Sequence, residues 1–324
     1  MRSVTVFWQR LFCCRGDRLD LLMGLYSMSK DKNPVAPIAI RFKQDLQLKG
    51  LGDRTQQAYC RALRKFTEFL QHQPDSATED ELRNYLLYIK NEKQFSPSSI
   101  NVAQNGLKNF FRITCQRDWP TLKFLRVKGE QKLPTVLTIG EVHTILKLTD
   151  KPSMACFFTI VYSLGLRLQE ALHLQVDDID SKRMMVHIHR GKGAKDRMIP
   201  LPEPTLIHLR QYYKSHFNPK WIFPSEGKNH LQAKTADKPM SESSVQGVIK
   251  AVLSQLNWDN RGISTHTLRH CYATHLLESG VSLKLIQKYM GHAHLTSTML
   301  YMHVTTVGEE GAIAKINSLM KRKS

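Results

Sequence analysis

The chain has 324 residues, 41% of them hydrophobic and 8% aromatic, which suffices for two cores and excludes a disordered or fibrous chain. Its 47 Lys and Arg outnumber its 28 Asp and Glu, giving a formal net charge of +19 and the expectation of a polyanionic partner. Six scattered cysteines, Cys13, Cys14, Cys60, Cys115, Cys156 and Cys271, form no CxxC pair, which argues against a disulfide framework or a cysteine zinc site and favours a reducing cytoplasm. No apolar run reaches the roughly 18 residues of a membrane span.

Residues 1–27 contain the apolar stretches VTVFW and LDLLMGLY, but Arg10, Arg15, Asp17, Arg18 and Asp20 interrupt them, and a secretory cleavage site is lacking. Met28, followed by SKDKNP, reads as an alternative start. Residues 1–34 are therefore treated as an N-terminal extension, and a protein beginning at Met28 is expected to stay active. From Ala36 the apolar positions Ile40, Phe42, Leu46 and Leu48 follow helical spacing. After a break at Gly50–Gly52 so do Tyr59, Leu63, Phe66, Phe69 and Leu70. Residues 79–92 and 97–117 open with the acidic, Ser and Pro signals of helix starts. Four helices without a strand signal predict an all-α domain over residues 35–119. A loop at Trp119–Pro120, with Lys123, Arg126, Lys128 and Lys132, predicts a linker over 120–134, basic enough to follow a phosphate backbone.

The second domain, 135–324, opens with Thr138 and Glu141 in a capping-box arrangement, and helical spacing continues to Leu174. Residues 184–189 alternate, the turn RGKGAKDR follows, and 198–201 resume an extended pattern, predicting a short hairpin. Helices are predicted again at 205–213, 243–256, 265–278, 283–289 and 297–303. The fold class is mainly α with a small antiparallel sheet. Positive charge is spread over both halves, with 19 basic and 11 acidic side chains in residues 28–134 and 24 and 15 in residues 135–324, as two halves of a DNA clamp require.

Four motifs in the second half bear on chemistry. Arg167 and Glu170 follow Gly165–Leu166; alone, such an arginine is a surface or salt-bridged residue. Residues 191–197, GKGAKDR, read alone as a solvated basic turn, and they lack the spaced glycines and the Ser or Thr of a P-loop. In HTLRH, which Ser264 can cap, His266 and Arg269 share a helix face. His266 and His270, four apart, could hold a metal, but a zincin needs Glu directly after the first His, where Thr267 stands. Gly291 is placed to end a helix in the left-handed region, with His292 in the turn beyond and Tyr301 nine residues further on.

Taken together, GLRLQE, the Lys-bearing hairpin, HTLRH, YMGHAHLTST and Tyr301 resemble, in order and type, the tyrosine recombinase family of phage integrases, Xer recombinases and integron integrases. LKGLGDRTQQAYCRALRKFTEFL is similar to that family's SAM-like core-binding domain, so the resemblance covers nearly the whole chain. It implies a site-specific recombinase that breaks and rejoins DNA through a 3′-phosphotyrosine. It also implies catalytic roles for Arg167, Lys192, His266, Arg269, His292 and Tyr301, with Glu170 and His270 supporting. Two arginines suit the charge that builds on a phosphate under attack, because guanidinium grips oxygens bidentately and keeps its proton. A tyrosine hydroxyl has a pKa near 10 and needs a proton acceptor, for which His266 serves, while His292 can bond the phosphate or the nucleophile. Lys192 suits protonation of the departing 5′ oxygen.

No cofactor and no metal are expected, since the phosphotyrosine conserves the bond energy for rejoining. Double-stranded recombination sites are the expected partner, bound by a homotetramer in which the stretch 308–324 acts between subunits. No membrane is expected, and the cytoplasm is the expected location. The rival readings are a type IB topoisomerase, which shares the transesterification, and a DNA-binding regulator of this fold without catalysis.

Overall fold

The computed structural model describes residues 36–124, 127, 133–189, 196–227, 232–292, 295–299 and 301. The N-terminal extension, linker residues Arg126, Lys128 and Lys132, hairpin lysines Lys192 and Lys195, and the terminal stretch 308–324 lie outside them. Two compact units are present, Met1–Gln131 and Lys132–Ser324.

The first unit contains α1 (Ala36–Leu48), α2 (Asp53–Leu70), α3 (Glu79–Asn91) and α4 (Pro97–Asn109), the last running on into a π-helical turn, Phe110–Thr114. Local chemistry fixes the starts. Thr78 and Glu81 form a reciprocal capping box at α3, with Glu81 accepting the Thr78 N–H at 2.8 Å, and Ser96 Oγ caps α4 ahead of Pro97. α2 and α4 pack closely because Gly106 faces α2, where an added Cβ would lie 3.2 Å from Tyr59 Cα and from Ala62 Cβ. Phe42, Phe66, Phe110 and Phe111 are fully buried and meet edge to face. Of the first apolar series, Phe42 and Leu46 enter the core, whereas Ile40 and Leu48 face outward. The unit also continues past the expected boundary at 119. Trp119 stacks on Phe111 at 4.2 Å, α5 (Thr121–Phe124) follows with Leu122 buried, the Thr121 N–H bonds Glu79, and Asn101 bonds both backbone groups of Val127.

The second unit contains α6 (Ile139–Lys147), α7 (Pro152–Leu164), α8 (Leu168–Leu172), β1 (Ile179–Asp180), β2 (Met185–Ile188), β3 (Arg197–Pro200), α9 (Glu203–Tyr213), α10 (Glu242–Gln255), α11 (Thr265–Glu278), α12 (Leu283–Met290) and α13 (Thr296–Met299). α7 is central: Phe157, Phe158, Ile160, Val161 and Leu164 are all fully buried, as expected of a helix apolar all round. α11 packs across it. The helical spacing to Leu174 is divided by Gly165, whose φ of 60° ends α7, and a Cβ at that position would run into the Tyr272 ring. The hairpin forms as β2 and β3, but β1 adds a third strand in the antiparallel order β1-β2-β3. Two residues carry too little alternation to announce a strand. Val186, Ile188 and Ile199 point to the core from the sheet.

Candidate active site

The site is assembled around the C-terminus of α12. A helix of this length leaves its last carbonyls without intrahelical partners, and the macrodipole makes that end attractive to cations. Three consecutive carbonyls there each receive one arginine. Tyr289 O accepts from Arg197 Nε at 2.7 Å, Met290 O from Arg269 Nη2 at 2.6 Å, and Gly291 O from Arg167 Nη2 at 2.8 Å. Gly291, at φ 61°, turns the chain so that its carbonyl faces Arg167, and its missing side chain admits Arg197, whose Nη1 would stand 3.0 Å from a Cβ. Arg269 also donates to Gly165 O at the end of α7, so the left-handed glycines at 165 and 291 both contribute backbone acceptors.

Glu170 is the counter-charge for this cluster. Its two oxygens accept from Arg197 at 3.0 and 2.7 Å and from Arg167 Nη1 at 2.7 Å, and its Oε2 also accepts the Arg167 backbone N–H at 2.9 Å. Burial by itself would raise the carboxyl pKa; the hydrogen bonds and charge of Arg197, joined by those of Arg167, overcome it and hold the group at about 2. Arg269 is 4% exposed, and burial with the neighbouring Arg167 charge lowers its pKa to about 9, which leaves it protonated at neutral pH.

Tyr301 is 1% exposed and packs against Ala273, Ile286 and Met290. Its hydroxyl lies 2.9 Å from His270 Nδ1, and the His292 ring stacks over it with centroids 6.4 Å apart. Burial raises the phenol pKa, against the opposing charges of Arg269 and Arg167. His270 is pushed down to about 4 by burial and by His266 and Arg269, so at neutral pH it is an uncharged imidazole able to accept a proton. His292 is likewise lowered to about 4 by burial and by Arg269 and Arg167, and its Nδ1 bonds the buried Thr298 hydroxyl at 2.9 Å. His266 stands in the first turn of α11, open to solvent on one side, and partial desolvation together with the charges of Arg269 and Arg167 lowers its pKa. That turn is closed by Thr267 Oγ1 accepting the Ser264 N–H at 3.0 Å.

The structure thus gathers Arg167, Glu170, His266, Arg269, His270, His292 and Tyr301 in one site, while Lys192 lies outside the described residues. It departs from the sequence expectation at three points. The hydroxyl of Tyr301 is bonded by His270, expected only to support, rather than by His266. His292 is turned to Thr298. Arg197, expected in a solvated turn, is 7% exposed at its side chain and joined to Glu170 and to α12. Its position as the last residue of the basic turn, directly before the extended run, was the available signal.

Glu170→Gln is expected to destabilise the protein by about 3–5 kcal/mol, because it leaves buried arginines without their counter-ion. The pH dependence has a definite sign. A carboxyl held at about 2 against an ordinary 4.5 contributes stability that is fully present above pH 4.5 and is lost as the pH falls toward 2. Its share is on the order of 3 kcal/mol. Urea unfolding at stepped pH should show the unsubstituted protein losing more stability than the Gln variant over that window; parallel curves would contradict the assignment.

Comparison with known proteins gives the family and the fold. The phage integrase family model matches residues 135–307, and a phage integrase N-terminal SAM-like domain model matches residues 39–121. A Sinorhizobium fredii protein provisionally named integrase/recombinase y4qK is 33% identical over 286 residues, 88% of this chain and 90% of that one. The tyrosine recombinase XerA of Pyrococcus horikoshii is 30% identical over 85% of this chain and 91% of its own. Among solved structures, the Tn1549 transposon integrase in complex with transposon right end DNA superimposes with a TM-score of 0.65 at 19% identity, covering 87% of this chain and 99% of that one, a likeness of fold. With both domain models in the expected order and identity sustained over most of each relative's length, the chain belongs to the phage integrase family of tyrosine recombinases.

Proposed function

We propose that this protein breaks and rejoins double-stranded DNA at specific sites, with Tyr301 as nucleophile. The observation that carries the reading is the buried Tyr301 hydroxyl, hydrogen-bonded to a neutral imidazole beside two arginines. The phenolic oxygen attacks the scissile phosphorus while its proton passes to His270, the base that holds it, with His266 one turn earlier on the same helix as the second acceptor. The bond from phosphorus to the 5′ oxygen breaks, Lys192 supplies the proton that this oxygen takes up, and a 3′-phosphotyrosine remains. The reverse step with a different 5′ hydroxyl rejoins the strand, so no nucleotide is consumed.

Arg167 and Arg269 stabilise the charge on the phosphate oxygens. The contacts described here use two of the five N–H donors of each guanidinium, leaving others for substrate. Glu170 and Arg197 are positioning residues that hold these guanidiniums against the end of α12. At 1% exposure the Tyr301 ring has to shift outward before its oxygen can reach a phosphate in DNA.

Exchange between two sites breaks both strands of each duplex, four cuts by four nucleophiles, which supports a homotetramer on synapsed DNA, with residues 308–324 joining its subunits. Such a protein works in the cytoplasm. Among the described residues, no helix is long and apolar enough to cross a membrane.

The chemistry is tested with a nicked duplex that traps the covalent intermediate, after exhaustive chelation and without nucleotide. Adduct formation and rejoining are expected at undiminished yield, and two sites should be captured together in a synaptic complex. Complete loss on chelation, restored specifically by zinc, would instead make His266 and His270 a metal pair. Relaxation of supercoils by a monomer without synapsis would identify a topoisomerase.

A further inference from the structure

A second cluster of titratable groups lies on the outward face of the small sheet, where the strand-transfer chemistry does not use it. In the observed register Ile179 stands opposite Val186, and Ile188 opposite Arg197. One step further, Asp178 falls opposite His187 and Asp196 opposite His189. Side chains two apart on a strand share a face, and opposed residues of an antiparallel pair do too, so these four side chains gather on one side. The distances bear this out. His189 Nε2 lies 2.7 Å from Asp178 Oδ1, His187 Nε2 lies 3.3 Å from Asp196 Oδ2, and the two imidazole centroids are 3.9 Å apart.

We propose that Asp178, His187 and His189 bind one divalent transition-metal ion of the zinc class. Ligand atoms of these three side chains all lie within 4.8 Å of one another, close enough for modest side-chain rotations to bring each within the 2.0–2.2 Å of a zinc–nitrogen or zinc–oxygen bond. Two imidazoles and one carboxylate form a borderline set suited to zinc, cobalt or nickel; magnesium and calcium demand oxygen.

The surroundings are those of an oriented site. Asp178 is 6% exposed, and its Oδ2 accepts the Gln175 backbone N–H at 2.8 Å, which turns Oδ1 toward the histidines. A cleft of about 300 Å³ borders all three ligands and gives room for water to complete the coordination. On binding, the ion takes the Nε2 lone pair of His189 with the ring's single N–H placed on Nδ1, 3.6 Å from the Asp196 carboxylate, close to the arrangement that commonly orients a metal-bound histidine. His189 and Asp196 also flank the segment 190–195 that carries Lys192, so an ion here would tie β1 to the base of that hairpin.

The test uses the full-length protein stripped of metal by chelation and dialysis, titrated with cobalt(II) under visible absorption and with zinc(II) by calorimetry. One ion per chain is expected, with cobalt ligand-field bands of low-symmetry nitrogen and oxygen coordination. His187→Ala combined with His189→Ala should weaken binding by roughly 100-fold or more, since loss of even an outer-sphere partner costs 10- to 100-fold. His189→Gln, at the more exposed ring, and Asp178→Asn should each weaken it as well, and the melting temperatures of the metal-free proteins identify any variant that fails to fold. Binding should persist in a His266→Ala, His270→Ala protein and in a Cys13→Ser, Cys14→Ser protein. Absence of saturable binding, unchanged affinity in the folded His189→Gln variant, or loss of binding in the His266/His270 or Cys13/Cys14 variant would each overturn the proposal.

Discussion

Tyr301→Phe is expected to abolish covalent attachment to DNA completely while leaving DNA binding within about twofold, because it removes one oxygen and none of the basic contacts that dominate affinity for a phosphate backbone. The substitution is also mild for the fold. The ring stays between Ala273, Ile286 and Met290, and only the hydrogen bond to His270 is lost, a change of about 1 kcal/mol. A mobility shift on a duplex site and adduct formation on a nicked site, measured side by side, separate the two effects. Burial raises the pKa of Tyr301 and lowers that of His270 to about 4, so at neutral pH the pair stands as phenol and free imidazole, the protonation states from which a general base acts, while both shifts by themselves oppose the transfer. The unsubstituted protein should therefore keep cleaving as the pH is lowered from 7 and lose activity on the way to 4, as His270 becomes protonated. Adduct from the Phe protein would move the nucleophile elsewhere.

Lys192→Ala should slow cleavage by roughly 100- to 10,000-fold, the range typical of lost general-acid help. Lys195→Ala, three residues along the same turn, should cost far less, as the loss of one phosphate contact would. Replacing the bridging 5′ oxygen of the substrate by sulfur decides the role, because a thiol has a pKa near 8.5 and its thiolate departs without a proton. On that substrate the Lys192→Ala protein should recover to near the unsubstituted rate. If it remains as slow as on ordinary DNA, Lys192 acts as a charge ligand of the phosphate, and His292 becomes the next candidate for the acid.

The helices were legible in the sequence because their signals are local. Apolar spacing and the box at Thr138–Glu141 depend on residues three or four apart, and the box forms in the structure as read. The same locality explains the errors. Ile40 and Leu48 fit helical spacing as well as Phe42 and Leu46 do, and only the neighbouring helices decide which are covered. β1 is two residues long and exists because β2 is there to pair with it.

The site divides along the same line. HTLRH places His266, Arg269 and His270 on successive turns of one helix, so their proximity follows from the helical repeat and could be read directly. The left-handed glycine at 291 could be read for a similar reason, since the turn after a helix favours a residue without a Cβ, whereas the helical spacing ran through Gly165 and hid the turn there. What the sequence by itself determined is therefore the family, the order of elements and the residue types of the chemistry. Tertiary structure alone decided which histidine bonds Tyr301, that Arg197 joins the site, that Asp178 meets His187 and His189, and that one helix end serves three arginines. Those last contacts join residues 124, 92 and 21 positions apart. Such pairings arise when unpaired carbonyls and buried charges must find partners in a closed interior, a demand that the whole packing answers and that a local pattern does not encode.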